Sequence, residues 1–563
     1  MDKRILSYAV AALAILIMAY FAYSYLANYY PPAQKRVIIL GFDGMDARLA
    51  EKWMDEGKLP HLAMLRSQGT YSRIRTTTPA DTPVAWTTVA TGVNPGKHNV
   101  FDFLDRDPET YMPRLAIIKK EQVEGQKPKV YNMKNGTPIW KTVGENGGWS
   151  TIINFPVTFP AEDFRGKMIS GLGTPDLLGT WGTFTIYEEN LEGSEETEMG
   201  GNIVPVSFSG DAAQTQLYGP NDMKINMSIR REGNSAALSF GGKEYELKEG
   251  EWSEWAEIQF EVNPLVKVKG VSRFYLINAN PLSLYLMPVS MDPRDPFFRV
   301  STPEGYSNDI AQEFGLYKTV GWADDTWALN DEATTEAIFL QDAYRTLDFK
   351  EKFVLEEMDK KPNLMIAVFY QTDTIQHTFY RYMDGQNPAY ASIPAEERSK
   401  YEGEILRIYQ RMDEIAGEVM DKADEDTTII VMSDHGFNPF RKAVNLNTWL
   451  AENGYLKKKP GANTQYYQLN NVFGERGLFW SDVLLNESQA YSIGLGNIYI
   501  NLKGREVQGT VEPGDYEKVR DEIINKLKNL RDPETGKRVI AKVQKREDIY
   551  SGPYVNNSAD LIV

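Results

Sequence analysis

The sequence predicts an α/β fold: a mostly parallel sheet flanked by helices, interrupted by a β-rich insertion and preceded by an N-terminal transmembrane helix. Three observations carry this expectation. Short apolar runs ending in polar residues recur at "VIILGFD", "NLMIAVFYQTD" and "TTIIVMSDHGF". Helical patterns lie around them, at Asp331–Lys360, Glu396–Lys422 and Asp515–Leu530. An uncharged stretch, mostly apolar, runs from Ile5 to Tyr30.

The uncharged stretch comes first in the chain. It is long enough to cross a bilayer as a helix, and longer than the roughly 7–15 apolar residues of a signal peptide. Ala22-Tyr23-Ser24 offers a weak cleavage site, but an uncleaved anchor is the expectation. Its tyrosines, from Tyr20 to Tyr30, suit a membrane interface. Lys3 and Arg4 flank one end and Lys35 and Arg36 the other, so charge alone barely orients it. We expect residues 1–4 in the cytoplasm, a span over 5–30, a linker over 31–36 and an extracytoplasmic catalytic part beyond.

Val37–Leu40 is a continuous apolar run, the mark of a strand buried on both faces. It opens the first part of the catalytic domain, 37–183. From Phe184 to Asp295 helical periodicity fades. "AALSFGGKEYELKEGEW" reads as a hairpin with a Gly-Gly turn, and "LVKVKGVSRFYLI" begins by alternating. Residues 184–295 are therefore expected to form a β-rich cap. The second catalytic part is expected over 296–563.

Composition narrows the function. The chain has 563 residues, 61 Lys+Arg and 78 Asp+Glu, for a net charge of −17. That argues against a nucleic acid polymer as partner, which needs clustered cations. A small anionic substrate held by a metal stays open, because the metal brings its own charge. The absence of cysteine removes disulfides, thiolate nucleophiles, Cys-type zinc sites and a lipoprotein anchor.

In an open parallel sheet, ligands bind beyond the carboxyl ends of the strands. The first run delivers Asp43 there. The second delivers Asp373 and His377, which share one face if "TDTIQHTFYRYM" opens a helix. The third delivers Asp434 and His435. Mixed Asp and His ligands suit zinc or manganese rather than calcium or magnesium. The remaining histidines, His61 and His98, read as structural. "TPVAWTTVATG" reads as a short helix with Thr82 at the N-cap, Pro83 at the first helical position and Gly92 as its stop. A helix N-terminus suits phosphate, so Thr82 is either a cap alone or a nucleophile.

"VIILGFDGMD", "DTPVAWTTVATGVNPGKHNVFDF", "DTIQH" and "VMSDHGF" together resemble the alkaline phosphatase superfamily, and within it the type I phosphodiesterase / nucleotide pyrophosphatase branch. The resemblance implies an alkaline phosphatase-like α/β fold with a cap insertion, and a hydrolase acting on a small phosphate ester, diester or monoester. It makes Thr82 the nucleophile that is transiently phosphorylated. Asp43, Asp434 and His435 become ligands of the metal that contacts that hydroxyl; Asp373 and His377 ligate a second metal. The two divalent ions implied are zinc, with manganese as the alternative.

Two departures stand out. The Asn that relatives place after this segment to hold a phosphate oxygen falls here on Phe103, so nucleotide specificity does not carry over. The family's second metal takes a further His near the C-terminus, and none follows His435. With the apolar ending "SADLIV", this leads us to expect a second catalytic part that is incomplete, continuing beyond Val563. A sulfatase of the same fold is a poor reading, because threonine cannot become its oxidised nucleophile. Two alternatives stay open: a membrane-linked transferase of phospho-headgroups, and a catalytically dead binding protein stabilised by metal.

Overall fold

The computed structural model describes residues 13–14, 17–18, 35–121, 127–191, 193, 195–197, 199–263, 266–461 and 479–563. The expected membrane span, 5–30, falls outside them except for Leu13, Ala14, Ile17 and Met18. Among the described residues no helix is long and apolar enough to cross a membrane.

The elements that position the site are, in chain order, β1 (Arg36–Phe42), α1 (Ala47–Asp55), α2 (Pro60–Gln68), α3 (Thr82–Thr91), β2 (Ser150–Phe155), β3 (Gly166–Ser170), β4 (Ser301–Thr302), α4 (Tyr306–Phe314), α5 (Glu336–Asp359), β5 (Leu364–Phe369), α6 (Gln371–Met383), α7 (Glu404–Lys422) and β6 (Thr427–Met432). The strands form one six-stranded sheet in the order β4-β3-β2-β5-β1-β6. All neighbours are parallel except β4, which runs antiparallel to β3 along one edge.

Alternation along β1 explains why its apolar run is unbroken. Ile38, Leu40 and Phe42 enter a core shared with Leu347 of α5, Ile375 of α6 and Ile408 of α7. Ile39 turns the other way, to a cluster with Ile152, Ile366, Trp86 and Trp140. Both faces are covered, so neither can be polar. The run at Thr427–Met432 behaves differently: β6 is an edge strand and Ile430 is 41 % exposed. An apolar run does not by itself say how many faces a strand buries.

The helices depart from the expected spans where caps intervene. The pattern expected from Asp331 begins at Glu336, because Thr335 caps it by accepting from the Ile338 N–H. The pattern expected over Glu396–Lys422 is two helices, Ala395–Tyr401 and α7, parted at Glu402-Gly403. That over Asp515–Leu530 forms at Tyr516–Lys528.

Between β3 and β4 the chain builds strands from Thr185–Glu189 to Ser290–Met291 in three sheets. One is a five-stranded antiparallel sheet from Phe208 to Lys248. Its Ser235–Phe240 and Lys243–Lys248 strands are joined by Gly241 and Gly242, at φ +57° and +77°. A two-residue turn of that hand needs positive φ at both positions, which glycine tolerates.

Residues beyond β6 carry a separate apolar cluster that includes Leu450, Ile498, Ile523 and Leu561. It lies on a four-stranded sheet in which Leu561–Ile562 is an inner strand. This unit leans on the catalytic part through Asp102, which accepts from the Leu495 N–H and from Asn497 Nδ2 at 2.8 and 2.7 Å.

Candidate active site

The order β5-β1-β6 sets three carboxyl ends side by side. Asp43 directly follows β1, Asp373 sits in the first turn of α6, and Asp434 and His435 follow β6. Asp373 and His377 lie one helical turn apart, with His377 Nε2 3.5 Å from Asp373 Oδ1. His435 Nε2 is 3.5 Å from Asp43 Oδ1, 3.4 Å from Asp434 Oδ2 and 4.0 Å from Asp373 Oδ1. The residues singled out from sequence are thus brought to one place.

The loop after β1 is shaped for this approach. Gly44 has φ +65°, and a Cβ there would come within 2.8 Å of Asp373 Oδ1. Its N–H donates to Asp434 Oδ1 at 3.2 Å. Thr372 donates its hydroxyl to the Asp43 carbonyl at 2.5 Å. Gln376 donates to the Gly44 carbonyl at 2.8 Å, and Tyr409 of α7 donates to Gln376 at 3.0 Å while accepting from the Asp46 N–H at 2.7 Å. Asp46 caps α1 and also accepts from the Phe437 N–H, which ties the β1 loop to the β6 loop.

Thr82 enters from α3, and here the structure corrects the sequence reading. The N-cap is Asp81, whose backbone is extended and whose carbonyl accepts from the N–H groups of Val84 and Ala85. Thr82 is the first helical residue, so its hydroxyl is not spent on a cap. Oγ1 donates to Asp43 Oδ1 at 3.2 Å and lies 3.1 Å from His435 Nε2. Gly92 ends the helix at φ +66°. Thr87, Thr88 and Thr91 return their hydroxyls to carbonyls one turn back.

The electrostatics are those of crowded carboxylates. Burial, then the charges of Asp434 and Asp373, hold Asp43 well above its ordinary pKa. Burial pushes Asp434 up to about 6. Burial works against a charged His435, but Asp434, Asp43 and Asp373 prevail and raise it to about 9. Burial would raise Asp373, yet the neighbouring His377 holds it below its ordinary value.

A cation fits this donor set. Asp43, Asp373 and His435 each offer a ligand atom, all within 4.8 Å of one another. Asp373 Oδ1 and Asp434 Oδ2 are buried without a hydrogen-bond partner among the described residues. Buried carboxylate oxygens are rarely left so unless something charged completes them. His435 Nδ1 lies 3.0 Å from the Gly436 carbonyl and can donate to it, which leaves Nε2 able to face a cation.

Several contributors escaped the sequence reading. Trp86 donates its indole N–H to Asp43 Oδ2 at 2.9 Å; its place four residues after Thr82 was the available signal. Asp324, from the segment after the β-rich region, lines a small cleft of about 20 Å³ with Asp43, Thr82 and Asp373. It accepts from Gln371 and Thr374 on either side of Asp373. Nothing local in "GWADDTW" announces it. Asp81 is buried with Oδ2 unpartnered among the described residues, and burial followed by the charge of Asp102 pushes it up to about 7.

Phe103, at the family's Asn position, packs edge-on against Trp181 with centroids 6.1 Å apart. His98 is buried; Nδ1 accepts from the Val100 N–H and Nε2 lies 2.9 Å from Thr88 Oγ1. His61 pairs with Asp413 on α7 at 2.9 Å. Both are structural contacts.

The family model for "Type I phosphodiesterase / nucleotide pyrophosphatase" matches residues 37–191 and 255–563. The unmatched stretch, 192–254, contains the whole five-stranded antiparallel sheet. No curated protein matches the chain. The family is metal-dependent and hydrolyses phosphodiester and pyrophosphate bonds. With its motifs gathered at three neighbouring strand ends and the match covering most of its length, the chain belongs to the type I phosphodiesterase / nucleotide pyrophosphatase family of the alkaline phosphatase superfamily.

Proposed function

We propose that the protein hydrolyses a small phosphate ester by way of a phospho-threonine at Thr82, with two divalent cations bound. The observation that carries this reading is the Thr82 hydroxyl held between Asp43 Oδ1 and His435 Nε2, at 3.2 and 3.1 Å. Asp43, Asp434 and His435 would hold one cation and Asp373 and His377 the other; zinc suits the mixed donors, as manganese does. When bound, the cations supply positive charge that lowers the hydroxyl's pKa and offsets phosphate charge.

The protein's own part is orientation and proton handling. Asp43 Oδ1 accepts the Thr82 hydroxyl hydrogen and so aims an oxygen lone pair into the cleft. Trp86 holds the other Asp43 oxygen and keeps that carboxylate from turning. The amino-terminal end of α3 presents its positive pole to the phosphate. With its hydrogen passed to Asp43 Oδ1, Oγ1 attacks phosphorus, forming the Oγ1–P bond as the bond from phosphorus to the ester oxygen breaks and that oxygen takes up the proton. Water then attacks phosphorus, breaking the Oγ1–P bond, and one of its hydrogens restores the Thr82 hydroxyl.

The test is turnover of bis(p-nitrophenyl) phosphate and of p-nitrophenyl phosphate with added zinc or manganese, together with mass spectrometry of acid-quenched protein. We expect phosphate on Thr82 and loss of turnover in Thr82→Ala. Wild-type turnover in Thr82→Ala overturns the reading. Transfer to an added alcohol in preference to water points to a transferase instead. Membrane attachment rests on the run Ile5–Tyr30 alone, and recovery of the full chain in a carbonate-washed membrane fraction is its test.

A further inference from the structure

A second cavity opens at the same carboxyl edge of the sheet, beside β2 and β3 rather than β1. It measures about 360 Å³ and is lined by Asn154, Ile169 and Tyr370 from strand ends, with α4, α5 and the segment 316–323 around them. That volume lies in the range of small-molecule sites. Gly321, Ala323 and Tyr370 border both this cavity and the cleft at Thr82, so a thin wall divides the two. None of the six residues assigned to the phosphate-ester site lines it.

Its walls are aromatic: Phe314, Tyr317, Phe349, Phe353 and Tyr370. Its charge runs against the rest of the molecule. Arg273, Lys318, Arg345, Lys350 and Lys352 face Asp342 and Asp348, in a chain of net charge −17. Both carboxylates are already engaged, Asp342 by Lys318 and Asp348 by Arg411. Arg273, Arg345, Lys350 and Lys352 make no ion pair with any described residue.

Lys350 is the group that calls for a ligand. It is 5 % exposed, and its ammonium makes one hydrogen bond, to the Val368 carbonyl at 2.9 Å. The ammonium also lies 4.9 Å from the centre of the Tyr370 ring. Burial pulls its pKa down to about 8, so at pH 7 it remains mainly charged. The charges of Asp324 and Asp43 favour the ammonium without forming an ion pair with it, and two of its three donors have no acceptor among the described residues; an anion in the cavity would supply one. Arg345 and Lys352 stand exposed at the mouth, where they would draw an anion in.

We propose that this cavity binds a small organic anion with a flat apolar body, its head group on Lys350 and its body between the aromatic walls, at a site separate from the one at Thr82.

The experiment is calorimetric titration of the full chain with 2-naphthalenesulfonate and with its neutral counterpart 2-naphthol. A hydrogen-bonded charge pair corresponds to a preference for the sulfonate of about tenfold or more. We expect one sulfonate per chain with that preference, the preference lost in Lys350→Met, and wild-type binding in Thr82→Ala. Lys350→Met keeps the length and apolar volume of the stem; circular dichroism reports whether it folds. In the wild-type chain, the sulfonate should also slow acetylation of Lys350, read by peptide mass spectrometry, whether or not the variant folds. No saturable binding, an undiminished preference in a folded Lys350→Met, acetylation of Lys350 indifferent to the sulfonate, or loss of binding in Thr82→Ala overturns the proposal.

Discussion

Trp86 donates its indole N–H to Asp43 Oδ2 at 2.9 Å, one helical turn beyond Thr82, whose hydroxyl donates to the other oxygen of the same carboxylate. One helix therefore presents the hydroxyl we propose as nucleophile and also fixes the carboxylate that accepts from it. Trp86→Phe keeps the edge-on packing against Phe155, now at 5.4 Å, but removes the donor. Losing such a supporting hydrogen bond typically costs 10–100-fold in metal affinity or activity. We expect kcat/KM on bis(p-nitrophenyl) phosphate to fall by about that factor, together with a loss of about 1–3 kcal/mol in unfolding stability, because the smaller ring leaves a void and strands Asp43 Oδ2. Unchanged kinetics would show that Asp43 does not need Trp86.

Gly41 serves the same contact from beneath. A Cβ there would come within 2.4 Å of the far edge of the Trp86 ring, and the ring is wedged among buried neighbours. Gly41→Ala must therefore shift the indole. Overpacking of this kind costs about 1–3 kcal/mol, measurable by urea unfolding, and activity should fall with it. A variant as stable and active as wild type would mean that β1 and α3 move apart freely.

His435 yields a pH signature in the metal-free protein. Its folded pKa is raised from 6.5 to about 9. A group raised in this way stabilises the fold fully below its unfolded value of 6.5, and the stabilisation fades as pH rises through about 9. In chelator, wild type should therefore exceed His435→Gln in stability clearly at pH 7 and by much less at pH 9. Comparing the two proteins cancels the titrating groups that His435 does not reach; Asp43, Asp434 and Asp373 lose its charge in the variant and belong to the signature. A gap that is constant from pH 7 to pH 9 refutes the assignment.

Asp324 supports the start of α6 without touching a reacting atom. It is 2 % exposed and accepts from Gln371 Nε2 at 3.1 and 3.0 Å and from Thr374 Oγ1 at 2.8 Å. Asp324→Ala strands both buried donors, at about 1–3 kcal/mol each, and lets Asp373 drift. We expect lower unfolding stability and weaker zinc binding by titration, with Asp324→Asn intermediate because it keeps one acceptor. Zinc affinity equal to wild type in Asp324→Ala would reduce its role to stability alone.

Legibility in the sequence followed locality. Asp373 and His377 could be paired from their spacing, because a helix returns to the same face after four residues. Asp43, Asp434 and His435 could be grouped because open parallel sheets bind ligands at their carboxyl ends. Asp324 could not be found: its acceptors meet α6 across 47 to 50 residues of chain. The Thr82 cap was misread by one residue for a related reason. Sequence pattern locates a helix start only to within a residue or two, and the competing partners of the hydroxyl come from β1 and the β6 loop.

The sequence alone determined the strand runs, their polar ends and the residue types gathered there, since strand-length apolar runs and helical spacing are written in local pattern. The family followed from the same motifs. Only the tertiary structure decided that β5, β1 and β6 are neighbours, that β6 is an edge, that Trp86 and Thr82 share one carboxylate, and that Lys350 lies in a cationic cavity within an acidic protein. The reason is physical. Local pattern records what each residue needs, whereas pairing order and charge balance depend on segments far apart in the chain that meet only when the core closes.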